Sequence, residues 1–237
     1  MFQYYDKVIR GTEKEDELVI LQFMKGMIGQ KFSFLNYYKE VPISFEAVLL
    51  NVENGMAEFS VHEYQAKVIN LEKMTLIQSH PRSAVSEDMI GEAFYVNSAK
   101  KSVILCNLGY SRICSSRRRY VRVLQDRNIE AELIFEGDIL KGNVKDISLG
   151  GAALRTMSIG DLAPGLDIKL SLKLPDAHGK PLLEVGMRAT ILKIIGTDTP
   201  YTCIIELHEE KHSQQQIACY INQRQVEIIK ELKDLHE

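Results

Sequence analysis

Two groups of side chains in this sequence have the types and spacing to do chemistry. The first is Arg117-Arg118-Arg119-Tyr120-Val121-Arg122, in which Arg118 and Arg122 stand four positions apart. The second is Asp146-Ile147-Ser148-Leu149-Gly150-Gly151. Arginine suits a ligand that offers purine edges, flat π faces and phosphates together. Its planar fork donates two parallel hydrogen bonds to O6 and N7 of guanine, stacks on a purine face and pairs with phosphate. Lysine would supply the charge without the fork or the stacking plane. Asp146 and Ser148 are two apart, so on a strand they project from the same face. A carboxylate there can accept from the N1–H and N2–H edge of guanine, and the hydroxyl can donate to phosphate or another acceptor. Gly151, with Gly150 beside it, would let backbone approach a ligand or take a positive φ where the strand turns. Each group alone has a plainer reading. An arginine cluster can be a solvated face or a nonspecific phosphate patch, and Asp-x-Ser-x-x-Gly can be a turn whose side chains bond local backbone.

Taken in this order and at this separation, with a β-rich remainder and a C-terminal helix, the two groups resemble the paired signature of the PilZ domain, a bacterial receptor for cyclic di-GMP. The resemblance spans about residues 117–235. It implies that Arg117, Arg118, Arg119, Arg122, Asp146, Ser148, Gly150 and Gly151 bind cyclic di-GMP. Of these, Arg118, Arg122, Asp146, Ser148 and Gly151 match the motif letter for letter. Arg119 is the less informative second arginine, and Arg117 is placed to stack on a second, intercalated nucleotide. The first half resembles, more loosely, the N-terminal barrel of two-domain flagellar-brake-type receptors. The function so implied is a sensor without catalytic residues, metal or cofactor. Its ligand would change interdomain orientation to regulate a protein partner such as a flagellar motor or biofilm component.

Composition bounds the alternatives. The chain has 237 residues, enough for two modest domains, each burying a core of its own. A net charge of −3 argues against a general nucleic-acid binder, which needs a broad basic surface. Positive charge is instead concentrated in Arg112, Arg117, Arg118, Arg119, Arg122 and Arg127. A nucleic-acid-binding barrel using residues 117–122 remains a second reading, and a PilZ-like module that no longer binds nucleotide a third. An enzyme with a flavin-binding barrel lacks a glycine-rich phosphate loop, a nucleophile set and a metal cluster. Cys106, Cys114, Cys203 and Cys219 lie far apart and read as buried small hydrophobes in a reducing compartment. No signal-peptide pattern and no apolar run of membrane-spanning length is present, so a cytoplasmic protein is expected, without membrane insertion, as monomer or homodimer, open to recruitment to the flagellar basal body.

The elements that must hold these residues give a mainly β fold of two small barrels: a split-barrel-like N-terminal one, and a C-terminal one of six or seven strands. A helix is expected over 13–28, with Gly29 as its stop. Strands are expected at 47–52 and 56–61, joined through Asn54-Gly55, and at 66–71, 74–78, 93–97 and 102–107. In the second half, Leu166, Ile168, Leu170, Leu172 and Leu174 alternate with polar residues, the signature of a half-buried strand. Further strands are expected at 129–135, 139–147, 152–155, 182–195 and 201–207. A last helix is read from a Ser213 cap to about Leu235, with Ile217, Tyr220, Ile221, Val226, Ile228 and Leu232 giving its apolar spacing. The expected domains are 1–110, a linker at 111–116 within the polar stretch 109–116, and 117–237. His62 and His80 are read as isolated strand-end histidines, and Tyr4, Tyr5, Tyr37 and Tyr38 as partly buried surface aromatics.

Overall fold

The structure, a computed structural model, describes residues 4–79, 87–113, 119–175 and 183–235. In chain order the elements are β1 (Tyr5–Val8), α1 (Glu13–Lys25), β2 (Lys31–Tyr38), β3 (Val41–Glu53), β4 (Met56–Ser60), α2 (Glu63–Glu72), β5 (Met74–Gln78), β6 (Asp88–Asn97) and β7 (Ser102–Ile113). They continue with β8 (Val123–Leu124), β9 (Glu130–Phe135), β10 (Asp138–Ser148), β11 (Gly151–Thr156), β12 (Asp167–Leu174), β13 (Leu183–Ile195), β14 (Tyr201–Leu207) and α3 (Lys211–Asp234). Two compact units result. One comprises Met1–Tyr38, Pro42–Arg118 and Lys230–Glu237; the other comprises Lys39–Val41 and Arg119–Ile229.

In the first unit the strands run β1-β7-β4-β3-β2-β5-β6, and a further β7–β6 pairing closes the ring, with β1 appended to β7. Closure removes the free edges that an open sheet would present. Phe34, Phe59, Leu49, Ile77 and Leu105 fill the core, with Ile20 and Met24 of α1 packed among them. The helix starts where a capping box dictates: Glu15 N–H donates to Thr12 Oγ1, and Thr12 N–H donates to Glu15 Oε2.

Four expectations change in this unit. Helix α1 ends at Lys25 and is capped by Gly26, ahead of the expected end at 28 and stop at Gly29. Residues 66–71 belong to α2, not to a strand; Gln65, Ala66, Val68 and Ile69 are its buried face, a 3.6-residue period. Strands β1 and β2 are additional to those read from the sequence, and Tyr5 of β1 is a core residue rather than a surface aromatic. Strand β7 continues through the first part of the expected linker, pairing Ile113 with Tyr5 and Arg112 with Asp6. Residues 114–118 lie outside the described residues.

One polar cluster sits inside this core. Asn36 Oδ1 accepts from Gln65 Nε2 at 2.6 Å and Thr75 Oγ1 at 2.7 Å, and its Nδ2 donates to the Met74 carbonyl at 2.7 Å. All three side chains are fully buried. Asn36→Ala therefore takes an acceptor from two buried donors, of which Thr75 keeps only a 3.4 Å contact to the Leu76 carbonyl, and a donor from the Met74 carbonyl; it is expected to lower stability by about 1–3 kcal/mol, as thermal unfolding would measure.

The second unit closes in the same manner. Its order is β11-β14-β13-β12-β9-β10-β8, with β11–β10 completing the ring and β8 appended to β10. The alternation in β12 buries Ile168, Leu170, Leu172 and Leu174, as its period requires. Helix α3 begins ahead of Ser213, which is not its cap: its hydroxyl donates to the Gly186 carbonyl of β13 at 2.8 Å. Ile217, Tyr220, Ile221 and Ile228 are buried, as is Leu232 in the last part of the helix, which belongs to the first unit, whereas Val226 is 53 % exposed and off that face.

Candidate ligand-binding site

The second unit brings the described members of the two sequence groups together through β8. Arg122 immediately precedes this strand, which pairs with β10 in the register Leu124 opposite Asp146 and Val123 opposite Ile147. Asp146 is thus flanked by β8 on one side and by Ala153 of β11 on the other. A bulge at Lys145 precedes Asp146, and from Asp146 to Ser148 the pairing with β11 is unbroken. The two side chains therefore share a face, and both are buried. Arg122 Nη1 stands 3.8 Å from Asp146 Oδ1, with Arg122 one-third exposed and Asp146 almost wholly covered. A covered carboxylate facing a partly exposed guanidinium can take a guanine edge on one side and a phosphate on the other.

The other expected residues are placed as follows. Arg119 is exposed. Arg117 and Arg118 lie outside the described residues, as do Cys114 and His80. Ser148 uses its hydroxyl locally, donating to the Gly151 carbonyl at 3.1 Å across the β10–β11 turn. That is the turn-closing role, and its oxygen lone pairs stay available to a donor.

The glycines answer to packing rather than to backbone conformation. Neither Gly150 nor Gly151 takes a positive φ, contrary to one of the two roles expected for such a turn. A Cβ on Gly151 would lie 2.6 Å from the Ile205 carbonyl oxygen of β14, and one on Gly150 would lie 2.8 Å from Cδ2 of Tyr120. The second contact identifies a residue that the motif reading passed over. Tyr120 sits between Arg119 and Arg122 in sequence, and its ring lies on Gly150, joining the arginine segment to the Asp146–Gly151 turn. An aromatic residue inside the arginine run, paired with a glycine in the turn, was the available signal.

Past β8 the chain is held by α3. Gln125 N–H donates to the Lys145 carbonyl at 2.9 Å. Its side-chain oxygen accepts a short hydrogen bond from the Tyr220 hydroxyl. Burial pushes that phenol up to about 12. Asp126 Oδ2 is 2.6 Å from Arg224 Nη2 and accepts from Lys39 Nζ at 2.7 Å. Burial pushes the Asp126 carboxyl up, but the Lys39 hydrogen bond and the Arg224 charge outweigh it and hold the group below the usual carboxylate range. A carboxyl depressed in the folded state adds stability that is present above its unfolded value, near 3.9, and is lost as pH falls through the folded one. Because Asp126 is 41 % exposed, solvent screening keeps this contribution small. Asp126→Asn is therefore expected to flatten the acid limb of a stability-versus-pH profile below about pH 4, leaving its slope near neutrality unchanged; denaturant unfolding at stepped pH measures it.

Among the described residues no group of three His, Cys, Asp or Glu side chains is placed to hold a metal ion, and no helix is long and apolar enough to cross a membrane. The cysteines differ from expectation: Cys203 is buried, but Cys106 is partly exposed and Cys219 exposed. His62 is exposed as expected, though at a helix start: its Nδ1 accepts from Tyr64 N–H at 3.2 Å and its ring stacks on Phe45.

The PilZ domain model matches residues 116–223. No curated protein sequence matches the chain. Among solved structures, the chain is similar to the Bacillus subtilis inhibitor of motility MotI/DgrA at 15% identity and TM-score 0.42, covering 84% of this chain and 97% of that one. It is similar to Escherichia coli YcgR in complex with c-di-GMP at 11% identity and TM-score 0.43, covering 96% and 100%. It is similar to the K. pneumonia MrkH–c-di-GMP complex at 14% identity and TM-score 0.43, covering 97% and 99%.

Proposed function

We propose that this chain, whose residues 116–223 match the PilZ domain model, is a cyclic di-GMP receptor whose ligand contacts Arg118, Arg122, Asp146 and Ser148. The observation that carries the reading is the β8–β10 register, which sets Arg122 beside the covered carboxylate of Asp146. Cyclic di-GMP carries two guanines and two phosphodiesters. Arg122 and the arginines before it answer the phosphates and the Hoogsteen edges, and Asp146 answers the N1–H edge. The pairing of basic loop with acidic strand suits a guanine nucleotide better than a plain phosphate, which the carboxylate would repel.

The chain acts as a sensor, not an enzyme. Ligand binding to the arginine segment changes the orientation of residues 1–110 relative to 117–237, with residues 111–116 between them, and regulates a protein partner in motility or biofilm control. Differential affinity of the nucleotide for the two arrangements is the only source of that change. The protein works in the cytoplasm.

Titration calorimetry of the full chain with cyclic di-GMP, with GTP and GMP as controls, tests the proposal. Saturable binding selective for the cyclic dinucleotide is the expected result, and its stoichiometry assigns Arg117, which with two nucleotides bound stacks on the second. Equal, strongly salt-dependent binding of oligonucleotides would favour a nucleic-acid barrel instead. Absence of any binding would leave a PilZ fold used as an interaction module.

A further inference from the structure

Helix α3 carries more polar groups on its buried side than covering a barrel requires. Ile217, Ile221 and Ile228 supply the apolar contact. Between them lies a second stripe, Tyr220, Arg224 and Glu227, spaced i, i+4 and i+7. Its three members engage three consecutive residues. Tyr220 donates to Gln125, Arg224 pairs with Asp126 at 2.6 Å, and Glu227 pairs with Arg127 at 3.4 Å. Glu227 also accepts from Arg224 Nη1 at 3.1 Å, which ties the stripe together. Arg224 is only 2 % exposed. A guanidinium so covered costs several kcal/mol of desolvation, and apolar residues of like volume are often neutral or better for stability alone. Stability therefore does not explain why this stripe is polar.

Its target does. Gln125 and Asp126 directly follow β8, whose other end is Arg122. Strand β8 is held to β10 through two residue pairs, by Leu124 N–H donating to the Lys39 carbonyl at 3.1 Å and by the buried Val123, so what grips its ends adds to a small set of anchors. Gln125 is gripped from both sides, by the Lys145 carbonyl of β10 and by Tyr220 of α3. We infer that Tyr220 and Arg224 are positioning residues for the ligand site: by clamping Gln125 and Asp126 they fix β8, and through it the distance from Arg122 to Asp146. The inference rests on the receptor reading and deepens it, making α3 the element whose docking the nucleotide senses. By linkage the coupling is reciprocal, so bound nucleotide tightens the grip of α3 on this segment.

Calorimetric titration of cyclic di-GMP into the full chain tests this, comparing wild type with Tyr220→Phe, Arg224→Met, Arg224→Lys, Asp126→Asn and the Asp126→Asn/Arg224→Met double variant. Tyr220→Phe and Arg224→Met are expected to weaken binding about tenfold, with Arg224→Lys recovering part of the loss. Asp126→Asn is the sharper arm. Removing a negative charge near a dianionic ligand would by itself strengthen binding, so weakening can come only from lost positioning. In the double variant the two losses should not add, because each breaks the same pair. Where Arg224→Met does not fold, Tyr220→Phe and Asp126→Asn decide, since each keeps nearly the whole side-chain volume. Folded Tyr220→Phe and Asp126→Asn proteins that bind within about twofold of wild type would overturn the inference and leave the receptor reading intact. A wild-type chain that ignores the nucleotide would overturn both.

Discussion

Arg122→Ala is expected to weaken cyclic di-GMP binding by about 2–4 kcal/mol, which is about thirtyfold to several hundredfold in Kd. Alanine removes a charge-assisted fork and leaves ligand oxygens without donors, a double loss that a lysine would only partly make good. In the free protein the same change costs little, because the 3.8 Å ion pair with Asp146 is loose and its arginine is one-third exposed. The deficit should thus appear in titration and scarcely in thermal unfolding. Asp146→Ala is expected to cost less in binding, about 1–3 kcal/mol, since one acceptor is lost without a change of ligand-facing positive charge. If the arginine variant titrated like wild type, Arg122 would lie outside the site.

The second large effect is one of stability. Gly151→Val is expected to destabilise the second unit by about 1–3 kcal/mol, with the upper end favoured by what the new carbon meets. Its Cβ would stand 2.6 Å from the Ile205 carbonyl oxygen, an atom of backbone rather than of a side chain that could turn away. Strand β14 is itself fixed between β11 and β13, so it cannot yield without disturbing two ladders. Gly150→Ala makes an instructive contrast, because the group it meets is the Tyr120 ring. That ring can swing, so the cost falls on the position of the arginine segment and shows as weaker nucleotide binding with a nearly unchanged melting temperature. Calorimetry and thermal unfolding of both variants separate the two roles.

How much of this was legible in the sequence follows from where local rules were obeyed. Strand β12 and strand β14 show clean alternation or a compact apolar run with turn residues outside, and both were read correctly. The hairpin at Asn54-Gly55 carries the preferred residues, with both in the left-handed region. Strand β2 was missed because its turn into β3 is Lys39-Glu40, with φ of 49° and 71°, a left-handed pair built from residues that carry no such signal. Its inward row also contains Asn36, a polar residue that reads as surface until Gln65 and Thr75 are brought to it. Helix α2 was taken for a strand for a related reason. It is capped by His62 rather than by Ser, Thr, Asp or Asn, and stopped by Lys73 rather than by glycine, so neither end announced a helix.

The candidate site was legible as residue types and spacing, but its wiring was not. Nothing in Arg-x-x-x-Arg or Asp-x-Ser-x-x-Gly says that Gly151 is required by a carbonyl of β14, that Tyr120 rests on Gly150, or that Gln125 and Asp126 are gripped from a helix nearly a hundred positions downstream. These are contacts between elements distant in sequence. No period or propensity encodes them.

Strand β8 carries a last consequence. It is two residues long and stands outside the ring that the other strands of its sheet complete, so detaching it breaks no closure. Its hold comes instead from Val123, which is fully buried, and from the grip of α3 on Gln125 and Asp126. The ring of the barrel and the position of Arg122 are therefore secured by separate contacts. A change in how α3 docks would move Arg122 without breaking a ladder of the barrel.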